Sequence, residues 1–235
     1  MKKNNLISLI LRDKNNPQTF TFLNPASYVE ARKHLDIYTK IDKIYIDGIG
    51  LLFFLKLFNK YKEGRKSFDM TSLGKDIFSQ SVIQNRKIYI IGSTQESIEK
   101  FVSNIKKEFE GVNIIGFRNG YIKGEEQNVI NEIINKEPDI TIVGMGVPIQ
   151  EHFLVELKKC GYKNIIYTCG GFIHQTTENI HFYPEWIDKL NLRMFYRIYA
   201  EPEFRKKLPN YLKFILYFFI DLLTYIKNKD YLNHK

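Results

Sequence analysis

Cysteine is almost missing from this chain: Cys160 and Cys169 are the only two in 235 residues. Two cysteines cannot staple a disulfide scaffold, so the chain must bury a core, and free thiols in a reducing compartment are the default reading. Neither cysteine has metal-ligand companions, and His174 and His181 lie too far apart, with too few partners, to hold a metal. The N-terminal apolar run from Leu6 to Leu11 is too short for a signal-peptide core followed by a cleavage site, which leaves the protein in the cytoplasm. There is no zinc-finger spacing, RNP pattern or helix-turn-helix, so nucleic acid is disfavoured as a partner. There is also no Walker lysine motif. No Gly-x-Gly-x-x-Gly fingerprint is followed by an acidic residue about twenty positions on, which argues against a dinucleotide coenzyme.

A 44% hydrophobic and 26% charged composition predicts a globular core, one full-sized α/β domain with at most a small appendage. With nucleic acid disfavoured, the net charge of +9 points to an anionic membrane surface or to anionic small substrates.

Short apolar runs alternate with helix-periodic segments. Strands are expected over Leu6–Leu11, Gln18–Leu23, Lys43–Ile46, Lys87–Ile91, Val112–Ile115, Ile140–Val143 and Asn164–Thr168. Helices are expected over Tyr28–Leu35, Met70–Gln84, Gln95–Phe109, Val129–Asn135 and Leu192–Pro202, with a further apolar run over Leu51–Phe58. Strand and helix alternating from residue 87 to 172 implies a doubly wound, mostly parallel Rossmann-like sheet with right-handed crossovers.

The junctions carry the chemistry. Ile140–Val143 runs into Gly144 and Gly146, then Pro148, suited to the first position of a helix, with Gln150 and Glu151 in the first turn. A strand, a glycine turn and a helix start can hold a diphosphate. The same spacing is met by an ordinary turn in which Glu151 answers the helix dipole. Gly92 opens a second junction, capped by Ser93 or Thr94. Asp47 ends a strand between apolar residues and a glycine pair, where α/β sheets place ligands and where a carboxylate can act as a base. Spacing alone favours a turn or cap role for Asp47, and likewise for Asn24. Arg65, in a polar basic connection, reads as a solvated charge rather than an anion ligand.

The C-terminal part differs in character. Tyr211–Ile226 is apolar and aromatic, interrupted by Lys213 and Asp221, and flanked by Arg205–Lys207 and by Lys227 and Lys229. It is shorter than the ~20 residues of a membrane span. An amphipathic helix on an anionic leaflet is expected, the alternative being a domain or homo-oligomer interface.

Together these pieces resemble the WecB/TagA/CpsF glycosyltransferase family, glycosyltransferase family 26. The carriers are Asn24, Asp47-Gly48-x-Gly50, Ile91-Gly92, the run from Gly116 to Tyr121, and the run from Gly144 to Glu151, which reads Gly-x-Gly-x-Pro-x-Gln-Glu. Gly170-Gly171-Phe172, Leu192-Arg193-x-x-Tyr196-Arg197 and Glu201-Pro202 complete a match over residues 15 to 210.

The resemblance implies a metal-independent, inverting transfer of a sugar, such as N-acetylmannosamine, from a UDP-sugar to a polyprenyl-diphosphate-linked acceptor. The product belongs to cell-surface polysaccharide of the teichoic acid or capsule type, and the enzyme sits on the inner face of the cell membrane. No cofactor is implied. Asp47 is the implied base, with Asn24 and Gln150 in the pocket. Gly92, Tyr121, Gly144, Gly146, Pro148 and Glu151 are implied on the substrate side, and Arg197 and Arg205 at the diphosphate. Residues 1–190 would form the nucleotide-sugar-binding and catalytic domain, and residues 191–235 a helical, membrane-binding appendage. Departures are Phe22, where relatives carry Thr, Ile173-His174 in place of Phe-Asp, and Phe182-Tyr183-Pro184 in place of Arg-Ala-Pro. Two rival readings are a UDP-sugar epimerase and a non-catalytic membrane-docked scaffold.

Overall fold

A computed structural model describes residues 5–58, 60–177, 182–184, 186, 187, 190 and 192–233, without the side chains of 203 and 229–233. His181 and the side chain of Lys229 lie outside these residues. Six strands form one sheet: β1 (Thr19–Leu23), β2 (Lys43–Ile46), β3 (Ile88–Gly92), β4 (Ile114–Arg118), β5 (Ile140–Gly144) and β6 (Ile165–Thr168). All are parallel, in the order β2-β1-β6-β5-β3-β4.

The doubly wound reading is therefore correct, and it extends to β1 and β2. Alternation along β3 explains the two-layered core. Tyr89 and Ile91 join the cluster on one face, and Ile88 and Ile90 the cluster on the other. Both faces are covered, as a parallel sheet requires.

Along the chain come helices α1 (Leu6–Ile10), α2 (Pro25–Ala31), α3 (Leu35–Tyr38), α4 (Ile49–Leu57), α5 (Leu73–Ile83) and α6 (Gln95–Glu108). They are followed by α7 (Glu126–Lys136), α8 (Ile149–Lys159), α9 (Phe172–Gln175), α10 (Arg193–Ala200), α11 (Pro202–Arg205) and α12 (Leu208–Asn233). Two expectations change. Leu6–Leu11 is a helix rather than a strand, because Asn5 and Ser8 form a reciprocal capping box that starts α1. A run this short satisfies either period, so the cap decides. The fourth strand lies at Ile114–Arg118 rather than at 112–115. Val112 still closes the turn out of α6, donating its N–H to the Phe109 carbonyl at 3.1 Å. β4 is an edge strand, so it can run into polar Arg118 without an apolar signal.

Helix α12 is part of the domain core. Phe214, Phe218 and Leu222 are buried in the cluster that contains Tyr28 and Leu55. The buried Asp221 carboxylate accepts from the Tyr28 hydroxyl at 2.7 Å, and from Arg32 at 2.8 and 3.0 Å. The Asn5 side-chain amide donates to the Asp221 carbonyl at 2.8 Å, so α1, α2 and α12 are tied at one point. Among the described residues no helix is long and apolar enough to cross a membrane.

Removing one partner of a fully buried ion pair costs ~3–5 kcal/mol. Arg32 keeps 25% of its side chain exposed, so Asp221→Ala should lower unfolding free energy by about 2–3 kcal/mol. Urea titration at unchanged m-value measures this. A loss below about 0.5 kcal/mol, the usual scatter for surface changes, would show that α12 is held by apolar packing alone.

Candidate active site

The C-terminal ends of β1, β2, β3, β5 and β6 open onto a cavity of about 670 Å³, the edge of an α/β sheet where ligands bind. That volume lies within the ~300–1,000 Å³ of small-molecule sites. The roof comes from the C-terminal segment: Arg193 and Arg197 on α10, then Phe204, Lys207, Asn210 and Tyr211.

Asp47 follows β2 directly, its N–H held by the Leu23 carbonyl at 2.9 Å. Gly48 comes next because the chain presses against the β1 exit there. A Cβ on Gly48 would stand 2.6 Å from Pro25 Cδ and 3.0 Å from Asn24 Cβ. The Asp47 side chain lines the cavity and is 35% exposed to it, half-buried by the surrounding protein. Burial raises its pKa above the ordinary aspartate value and Asp69 adds to the rise, while Arg65, Arg193 and Arg197 oppose it. Arg65 Nη1 lies 3.5 Å from Asp47 Oδ1, on a side chain only 18% exposed. The loop charge read from sequence as solvated is a wall of the cavity.

Asp69 works through another group. It accepts from Arg193 at 2.6 Å, and Arg193 also bonds Thr71 and stacks over the Tyr183 ring at 4.6 Å. Burial alone would raise the Asp69 carboxyl, but Arg193 and the Thr71 hydroxyl and N–H hold it below the ordinary value. Asp69 thus stays charged and fixes Arg193. Arg197 is fixed similarly: Glu201 accepts from it at 3.0 and 2.9 Å, and Phe204 lies 4.3 Å beneath its guanidinium.

Asn24 is both a cap and a wall. Its Oδ1 accepts from Ser27 N at 3.0 Å to start α2, and the residue lines the cavity, leaving Nδ2 as the remaining side-chain donor. Gln150 also lines the cavity, and both ends of its amide are held: Oε1 accepts from Gly170 N at 3.2 Å and Nε2 donates to Glu151 Oε1 at 2.9 Å. Gly144 and Gly146 complete that wall.

Of the other implied residues, Glu151 lies behind the cavity, fully buried. Its Oε1 also accepts from Thr21 at 2.8 Å, and Thr168 donates to the Thr21 hydroxyl at 2.9 Å. Pro148 caps α8 from one residue outside it rather than opening the helix. Gly92 lies beneath the cavity, where a Cβ would stand 2.3 Å from the Gly144 carbonyl oxygen. Tyr121 is 78% exposed, and Arg205 donates outward to the Ile198 and Tyr199 carbonyls at the end of α10. None of these five lines the cavity among the described residues. Cys169 does, but burial pushes its thiol well up, so it is a packing residue.

A model of the glycosyl transferase WecG/TagA/CpsF family matches residues 1–229. The chain is 37% identical, over 96% of its own length and 96% of the relative's, to a UDP-Gal:alpha-D-GlcNAc-diphosphoundecaprenol beta-1,4-galactosyltransferase from Shigella boydii. It is 27% identical to an N-acetylglucosaminyldiphosphoundecaprenol N-acetyl-beta-D-mannosaminyltransferase from Bacillus subtilis, covering 80% of this chain and 72% of that one. The enzyme of the same name from Bacillus spizizenii is 24% identical, covering 87% and 80%.

Glu151 gives the site a pH dependence. Burial raises it from 4.5 to about 7, against the lowering effect of its bonds to Gln150 and Thr21. Its Oε2 has no partner, an arrangement a neutral carboxyl tolerates better than a charged one. Between these two values the folded chain holds a proton that the unfolded chain has released, so stability is greatest at the acid end and falls as pH rises. The loss should reach about 3 kcal/mol and level off above the folded value. Denaturant titrations across this range should show that slope in the wild type and a flatter one in Glu151→Gln. Equal slopes would mean that Glu151 is already ionised in the folded state.

Proposed function

Because the chain belongs to the glycosyl transferase WecG/TagA/CpsF family, we propose that it moves a hexose from a UDP-sugar to a polyprenyl-diphosphate-linked sugar, with inversion at the anomeric carbon. The observation that carries this reading is the Asp47 carboxylate in a cavity whose polar lining includes Arg65, Arg193, Arg197, Lys207 and the Gln150 amide. Greater likeness to the galactosyltransferase makes UDP-galactose the proposed donor, ahead of the N-acetylmannosamine expected from the motifs.

Asp47 takes the proton from the acceptor hydroxyl as that oxygen bonds the anomeric carbon. The bond from that carbon to the β-phosphate oxygen breaks on the opposite face, and UDP leaves with the electron pair. A raised pKa moves the base toward operating pH, which strengthens it for this task. The developing charge on UDP is met by charge-assisted hydrogen bonds from these guanidinium groups. Arginine, rather than a metal ion, is the counter-ion in this reading. Gln150, held at both ends, presents a fixed amide to the sugar, and Glu151 acts only through it. The β linkages in the relatives' names fit one displacement from an α-linked nucleotide sugar. The product enters cell-surface polysaccharide, and the enzyme works in the cytoplasm on the inner face of the membrane. There the outer face of α12, with Leu212 and Leu216 exposed, rests on the anionic leaflet.

Asp47→Asn should lower kcat by ~10²–10⁴-fold while calorimetric affinity for the UDP-sugar changes little. Wild-type turnover in that variant, measured by mass spectrometry of the lipid-linked product, would overturn the assignment. Arg197→Ala should weaken UDP binding at least about tenfold, the scale of one charge-assisted hydrogen bond. Transfer should also survive EDTA treatment, and loss of activity restored by a divalent cation would exclude the arginine-only site.

A further inference from the structure

Two apolar stripes leave the cavity side by side. On α4, Ile49, Phe53 and Leu57 recur at i, i+4 and are 46%, 60% and 58% exposed. On α12, Ile215, Phe219 and Leu223 repeat the same spacing and are 43%, 39% and 59% exposed. The stripes are joined edge to edge: Phe54 packs on Phe53 at 5.7 Å and on Phe219 at 5.9 Å, and Phe58 packs on Phe219 at 5.9 Å. Both begin at the candidate active site, since Ile49 lines the cavity wall just past Asp47, and Asn210 and Tyr211 line it at the start of α12. From there α4 runs for ~13 Å at 1.5 Å per residue.

We propose that this strip between α4 and α12 binds the first isoprene units of the acceptor's polyprenyl chain. The inference rests on the reading of the acceptor as a polyprenyl diphosphate and adds a place for its hydrocarbon. The ligand is an amphiphile with a diphosphate head, and the surface is laid out the same way. Arg197 and Lys207 stand at the cavity end, and an unbroken aromatic and aliphatic track leads away from them. A connected apolar surface of this kind is unusual on a protein unless something covers it. On α12 the strip shares its face with Leu212 and Leu216, which stand at helical spacing from Phe219 and Leu223, so α4 supplies the part of the strip that the leaflet-facing surface does not include.

The test is calorimetric binding of geranyl, farnesyl and geranylgeranyl diphosphate to the full chain, without vesicles or detergent. Affinity should rise at least about tenfold from the shortest to the longest probe, a modest fraction of the full transfer energy of the added carbons. Phe53→Ser with Leu57→Ser should abolish that rise and leave the melting temperature within a few degrees of wild type. Equal affinity for all three probes, or a rise that survives the Phe53 and Leu57 changes, would overturn the proposal. So would a dimer in size-exclusion chromatography that those changes convert to monomer, because the strip would then belong to a second copy. Chain-length-dependent binding without sugar transfer to any acceptor would refute the transferase reading and leave the strip standing. Transfer with no chain-length dependence would do the reverse.

Discussion

The balance between partial burial and the surrounding charges at the Asp47 carboxylate governs the site. A carboxylate at the end of a parallel strand in open water would be a weak base with nothing to orient it. Here the close passage of the β2 exit against Pro25 and Asn24, which only Gly48 permits, sets the carboxylate at the floor of a cavity. Burial pushes its pKa up, and the arginines around it limit that rise. The two influences come from different parts of the chain, and neither would suffice alone.

Most of the positive charge arrives late in the sequence. Arg193 and Arg197 enter on α10, and each carries its own carboxylate, Asp69 and Glu201, which fixes the guanidinium rather than quenching the site. The roof they form is anchored through α12. Asp221 clamps α12 to α1 and α2, while Phe214 and Phe218 sink into the main core. The tail, which reads as an amphipathic helix for a leaflet or for an interface, packs as one wall of the domain on its inner face and leaves an apolar surface on its outer face. The glycine turn after β5 contributes differently from a bare anion cradle. The Gln150 N–H is already bonded to Gly146, and the buried Glu151 occupies the start of α8.

Legibility in the sequence followed burial and locality. Strands β3, β5 and β6 were plain because they lie inside the sheet and read as continuous apolar runs. β4, on the edge, showed only part of its length, and α1 was hidden because its cap, not its period, decides its form. Asp47, Asn24, Gln150 and Arg197 were found through strand ends and family motifs, and all four line the cavity. Arg65, Asp69 and Arg193 carried no local signal as a group. Arg193 and Asp69 meet across 124 positions of sequence, so only the folded chain makes them partners. Thr21 carries no motif signal of its own, yet alternation along β1 turns its hydroxyl to Glu151.

The raised basicity of Asp47 is the point on which base catalysis stands, and it can be read without substrate. Carbon-13 NMR of side-chain carboxyls, with the Asp47 resonance identified by its loss in Asp47→Asn, gives its titration directly. The expected midpoint lies above the ordinary 3.8 and moves higher still in Arg65→Gln, where one opposing charge is gone. A midpoint at or below that ordinary value would mean that the arginines outweigh burial, leaving a carboxylate suited to pairing with cations rather than to taking a proton.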